Sequence, residues 1–136
     1  FVTLLVVRLD PARRTFHYAS AGHVPGYLLN CAGAVVQGLQ STGPPLGLFS
    51  APEFTLSDEI PCAEGDTLVL LTDGITEATN PLGEEFDAGR VLQVVRSSLG
   101  RPAREIANAI CAAAREFCGA APAGDDLTAV VCRPRG

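Results

Sequence analysis

Gly65-Asp66-Thr67-Leu68-Val69-Leu70-Leu71-Thr72-Asp73-Gly74-Ile75-Thr76-Glu77-Ala78 carries an apolar run straight into an aspartate and a glycine. A short apolar run bounded by turn residues reads as a buried strand, which puts Asp73 where a strand ends. Taken alone, an Asp before a Gly is also an ordinary turn former. The apolar lead-in tips the balance: a carboxylate at the lip of a buried strand needs a cation or several donors, because an unpaired buried charge is very costly. The chain contains no Lys to pair it. A divalent metal is the favoured partner, and hard oxygen ligands favour magnesium or manganese. A second acidic pair, Gly124-Asp125-Asp126-Leu127-Thr128, opens the last apolar run, Ala129-Val130-Val131-Cys132. Adjacent carboxylates repel, and a shared cation would offset that; otherwise the pair is a turn before a strand. Two strands with an aspartate at one end suggest a common site, with Thr128 placed to orient a carboxylate.

Outward from this stretch, Phe1–Leu9 and Thr15–Ser20 read as strands joined by the turn Asp10-Pro11-Ala12-Arg13-Arg14. Phe16 and Tyr18 alternate onto one face, leaving His17 exposed on the other. Tyr27–Asn30 and Ala34–Gln37 flank Cys31-Ala32-Gly33 as a second hairpin. Ser41–Phe49 is too rich in Gly and Pro for regular structure. Glu53–Ile60 and Asp66–Leu71 read as two more strands. The period then changes. Ala88–Leu99 carries Val91, Leu92, Val94 and Val95 and stops at Gly100. A second helix follows Pro102, with Ile106, Ile110, Ala113 and Phe117 on its apolar stripe and Gly119 at its end. Ala120–Ala123 reads as a linker and Leu127–Cys132 as the final strand. Strands that cluster before the helices predict an α+β domain, residues 1–136, with a mainly antiparallel sheet.

Composition narrows the function. An apolar fraction of 47% over 136 residues is ample for one core. No apolar run approaches the ~20 residues of a membrane span, and no leader with a cleavage site opens the chain. The net charge of −5 argues against nucleic-acid binding, which usually brings a basic stripe. All ten basic residues are Arg, which excludes a Walker lysine, a Schiff base and a kinase-type lysine. Acidic residues crowd Asp58–Asp87, a patch that is either a solvated face or suited to cations. Five cysteines without a C-x-x-C pair fit neither a disulfide framework nor a zinc knuckle. They fit reduced thiols in a cytoplasmic protein, with Cys111 and Cys118 on a shared helix face. No Gly-x-Ser-x-Gly elbow or paired His motif is present. Glu77 stands four residues beyond Asp73, behind the site or on the surface. His23, in a Gly-Pro turn, reads as structural before catalytic.

In order, Ala21-Gly22-His23-x-Pro25, Gly43-x-x-Leu46-Gly47, Gly65-Asp66-x-Leu68-Val69-Leu70-x-Thr72-Asp73-Gly74-Ile75-x-Glu77-Ala78, Asn80-x-x-Gly83-Glu84-x-Phe86 and Asp125-Asp126-x-Thr128 resemble the later part of the bacterial PPM-type serine/threonine phosphatases. The similarity is to their stage II sporulation protein E branch, relatives of the type 2C protein phosphatases. The resemblance implies an α-β-β-α sandwich of two antiparallel sheets between helix layers. It also implies two Mn2+ or Mg2+ ions that activate a water for direct attack on phosphoserine or phosphothreonine. By the same resemblance Asp73 and Asp125 are metal ligands and Asp126 is a weaker ligand or a group behind them; Gly74, Glu77, His23 and Thr128 are candidates to stand behind the ligands. Implied substrates are phosphoproteins, including STAS-type anti-anti-sigma factors, in bacterial signalling and sigma-factor regulation.

One departure bears on activity. The family's earlier Gly-Asp-x-x-Asp strand and Asp-x-x-Gly-x-Gly turn have no counterpart here, and the chain opens on a strand without a Met. The expectation is a sandwich incomplete at its N-terminus, inactive alone, with exposed sheet surface that favours a homodimer. Two other readings stay open. One is a non-catalytic regulatory remnant of the same fold. The other is a metal-dependent binding module of the von Willebrand A kind, which would need alternating strands and helices and an Asp-x-Ser-x-Ser loop.

Overall fold

The computed structural model describes residues 1–121 and 124–135. The first hairpin comprises β1 (Leu4–Asp10) and β2 (Thr15–Ala21); the second comprises β3 (Gly26–Leu29) and β4 (Val35–Leu39). Then come β5 (Ile60–Pro61), β6 (Thr67–Leu71), the short α1 (Asp73–Thr76), α2 (Asp87–Ser97), α3 (Ala103–Cys118) and β7 (Ala129–Cys132). They form two sheets, β1-β2-β5 and β4-β3-β6-β7, with every pair of named strands antiparallel. The class is α+β, as expected, and the antiparallel pairing removes the von Willebrand A reading.

The sequence of β6 shows how the layers are built. The strand lies between β3 and β7, so both its edges are paired. Side chains alternate across a strand. Leu68 and Leu70 enter the core between the sheets, with Phe16, Tyr18, Leu28, Leu39 and Cys62. Val69 and Leu71 enter a second core, with Ile75, Val91, Val95, Ile106 and Ile110 beneath the helices. Burial on both faces is why this strand reads as a continuous apolar run and not as an alternating one.

The described residues thus stack sheet on sheet on helices. Of the expected α-β-β-α layers they supply one helix layer, against the larger sheet. On the outward face of β1, Leu4 and Val6 stay about half exposed (46% and 51%).

Several expected boundaries shift. Strand β1 begins at Leu4, and Val2 makes only an isolated bridge to Leu46. The expected strand Glu53–Ile60 contracts to Ile60–Pro61. Ahead of it, Ser57 N–H donates to the Tyr18 carbonyl (2.9 Å) while Tyr18 N–H donates to the Ser57 hydroxyl (2.8 Å). A side chain thus replaces the backbone acceptor that a ladder requires. His17, expected exposed, is half-buried, and its Nδ1–H donates to the Ser57 carbonyl (3.0 Å). Final strand β7 starts at Ala129, two residues later than expected. The α3 stripe runs Ile106, Ile110, Ala114, Cys118, with Ala113 and Phe117 at its margin; Cys111 is only partly buried beside Cys118. The expected linker falls partly on residues 122–123, outside the described ones.

Candidate metal-binding arm

Strand β6 delivers Thr72 and Asp73 to its exit, and β7 is entered through Asp125–Thr128. Thr72 joins the two. Its N–H donates to the Thr128 carbonyl (3.1 Å), and its hydroxyl accepts from Thr128 N–H (3.2 Å). Gly74 then lies directly under the acidic pair. A Cβ on it would collide with the Asp126 carbonyl and stand 3.5 Å from Asp125 Cβ. Only the absence of a side chain permits this approach. It brings the Gly74 backbone beside Asp125 and Asp126.

All three carboxylates are exposed. Among the described residues the ion pairs are Arg13–Glu59 and Arg90–Asp87, so none of the three is neutralised by Arg. Asp125 Oδ1 accepts the Asp126 N–H (2.7 Å). Carboxylate oxygens of this kind suit hard divalent cations. Among the described residues, however, no group of three or more His, Cys, Asp or Glu side chains comes together as a metal cluster. The arrangement is an arm of oxygen donors without a closed ligand set. A cleft of about 460 Å3 adjoins it, lined by Gly74, Glu77, Asn80, Asp125 and Leu127 among others.

The remaining expected residues have clear places. Glu77 is exposed on the cleft wall, its N–H bonded to the Asp73 carbonyl (2.8 Å). His23 ties the two sheets together: Nε2–H donates to the Leu71 carbonyl (2.8 Å), and Nδ1 meets the Thr3 hydroxyl (3.0 Å). A carbonyl only accepts, so the Leu71 bond places a proton on Nε2. Thr128 acts through its backbone.

Two residues escaped the sequence reading of the site. Thr72 has no signal apart from its place before Asp73. Asn80 organises the cleft loop, its Oδ1 accepting from the N–H groups of Leu82 (3.0 Å) and Glu84 (2.9 Å) while its Nδ2 donates to Glu84 Oε2 (2.7 Å). The Asn-Pro pair was its sequence signal.

A two-sheet antiparallel core, flanked by helices and with aspartates gathered at one end, is the architecture of a PPM-type phosphatase domain. Residues 1–135 match the family described as Stage II sporulation protein E (SpoIIE), and the chain belongs to that family. Protein IcfG of Synechocystis sp. is 33% identical over 98 residues, covering 72% of this chain and 15% of that protein. The phosphoserine phosphatase RsbU of Bacillus subtilis is 30% identical over 83 residues, covering 61% of this chain and 24% of that protein. Among solved structures, the SiaA-PP2C domain of Pseudomonas aeruginosa superposes with a TM-score of 0.82 at 27% identity, over 96% of this chain and 51% of that one. The phosphatase domain of SpoIIE from Bacillus subtilis, presoaked with Mn, shares the fold at a TM-score of 0.73 and 18% identity, over 96% of this chain and 56% of that one. The chain therefore spans about half of these solved domains and a quarter or less of these curated relatives.

Proposed function

We propose that this chain supplies one arm of the metal centre of a protein serine/threonine phosphatase. Asp73 and Asp125 are ligands of Mn2+ or Mg2+, and Asp126 is a weaker one. The observation that carries this reading is the contact of Gly74 with Asp125–Asp126, which sets two acidic strand ends side by side. Likeness to a phosphoserine phosphatase and to a PP2C domain supports the reaction class. When bound, the metal pair supplies an activated water and neutralises charge on the phosphoryl group.

The chain's own residues hold the ligands in place. Gly74 admits the close approach, Thr72 and the Thr128 backbone lock the strand ends together, and His23 anchors the Leu71 carbonyl two residues before Asp73. Glu77 lines the cleft where a phosphorylated side chain would enter. The substrate is a phosphoprotein, and a STAS-type anti-anti-sigma factor in sigma-factor regulation is the class we assign to it. Since no three-ligand group exists among the described residues, we further propose that the 136-residue chain binds metal weakly and does not turn over alone.

Isothermal titration of Mn2+ into the purified chain tests the ligand assignment. Asp73→Asn and Asp125→Asn should each weaken binding about tenfold or more, the loss typical when a group supporting a metal is removed. Equal binding by wild type and both variants would refute it. Manganese-dependent hydrolysis of p-nitrophenyl phosphate by the isolated chain would refute the claim of inactivity while leaving the ligands standing.

A further inference from the structure

The loop from α1 to α2 turns on Asn80-Pro81-Leu82-Gly83. Its tip presents the most exposed large apolar side chain among the described residues, Leu82, at 84%. Nothing in the fold calls for a leucine there, because its neighbours make the turn. Gly83 takes the positive φ (83°), and its N–H closes the turn on the Asn80 carbonyl (3.0 Å). Positions of this kind favour polar and small residues.

The tip is held in one shape. Besides the three bonds of the Asn80 side chain, Asn80 N–H donates to the Glu84 carbonyl (3.0 Å) and Phe86 N–H to the Ala78 carbonyl (2.7 Å). Thr79 and Glu85 form an antiparallel bridge. Arg90, lying over the Phe117 ring, donates from Nη1 to the Glu85 carbonyl (2.9 Å). A single exposed apolar residue needs no explanation by itself. One carried on a loop bonded this fully is different, since little backbone freedom is left to lose on binding.

The loop is also a wall of the cleft beside the acidic arm. Thr79 and Asn80 line that cleft together with Asp125 and Leu127, and Leu82 stands two residues on from Asn80. A protein whose phosphorylated side chain enters the cleft meets Leu82 with the surface around its phosphosite. The charges here have one sign: Glu77 and Asp125 in the cleft and Glu84 and Glu85 on the loop are all exposed, and no basic residue lines the cleft.

Resting on the phosphatase reading above, we propose that Leu82 is a specificity-determining contact for the phosphoprotein substrate. It seats in an apolar recess of the folded partner, next to the phosphosite, and basic side chains around that recess face Glu84 and Glu85. Opposite charge selects such partners and turns acidic ones away. A short phosphopeptide has no recess and does not use the contact.

The probe is a folded STAS-domain protein carrying one phosphoserine, titrated into the 136-residue chain with Mn2+ and followed by amide chemical shifts in NMR. A short peptide with the same phosphoserine is the comparison. Shifts should include Leu82, Gly83 and Glu84. Leu82→Ser and Leu82→Asp should weaken the folded probe about tenfold or more, as loss of a buried leucine side chain predicts, whereas Leu82→Met should bind like wild type. None of the three should alter Mn2+ affinity or the melting temperature, since the side chain is exposed. The peptide should bind wild type and Leu82→Ser alike. The proposal is overturned if Leu82→Ser and Leu82→Asp bind the folded probe like wild type, if the loop amides do not shift, if the peptide suffers the same loss, or if the folded probe shows no saturable binding by about 1 mM. Unchanged Mn2+ binding in Asp73→Asn and Asp125→Asn would instead bring down the ligand assignment and leave the Leu82 contact standing.

Discussion

Gly74 bears the tightest constraint in the acidic arm. Its neighbour across the gap is a backbone carbonyl, Asp126 O, not the end of a flexible side chain. A methyl group there must push the whole Asp125–Leu127 segment. Gly74→Ala should therefore cost about 1–3 kcal/mol, the usual cost of overpacking, and should also loosen Mn2+ binding. Urea unfolding checks the first part; a variant as stable as wild type would show that the segment yields freely. Asp73→Asn is the contrast. The side chain is exposed, so stability should move by no more than about 0.5 kcal/mol. The place of Asp73 at a strand exit was legible because the apolar run before it ends in Asp-Gly. The role of Thr72 was not, since its partner lies 56 positions away.

Among the elements, the helices owe their place to packing more than to caps. Phe86 meets Phe117 edge-on at 5.4 Å, and the Arg90 guanidinium lies 4.7 Å from the centre of the Phe117 ring. Asp87 Oδ1 accepts the Arg90 N–H (3.0 Å) and opens α2. Below this contact, Ile110 of α3 is fully buried in the core that also holds Val69 and Leu71. Ile110→Ala should cost about 2–5 kcal/mol, read as a fall in the urea midpoint at unchanged slope; a loss under about 1 kcal/mol would mean that α3 can settle into the gap. The helices were legible from their 3.6-residue period. The contraction of the strand expected at Glu53–Ile60 was not, because its pattern is strand-like and only the Ser57 hydroxyl, bonded to Tyr18, breaks the ladder.

For the whole molecule, the two sheets close over thiols. Burial pushes the Cys62 thiol up, and the charge on Asp66 and the nearby Cys132 add to it; burial also raises Cys132. The folded chain thus keeps these protons to higher pH than the unfolded chain does. Their contribution is fully present below the ordinary cysteine range, roughly pH 8.5–9, and is lost as pH rises through and beyond it. Thermal unfolding should show stability falling across that window, and Cys62→Val with Cys132→Val should flatten the fall. A wild-type curve that stays level would contradict it. On the opposite surface, Leu4 and Val6 leave β1 with an exposed apolar face, and we propose self-association through it; light scattering that shows a clean monomer at high concentration would count against this.

The sequence by itself determined the class, the two helices and the central strand. Each of these is encoded locally, in period, in turn residues and in the side-chain types present. Tertiary structure decided what depends on distant partners. It put Gly74 against Asp126, fastened His23 to Leu71 and half-buried His17 against Ser57. Such contacts arise only when strands far apart in the chain are brought into register, and no local pattern reports them.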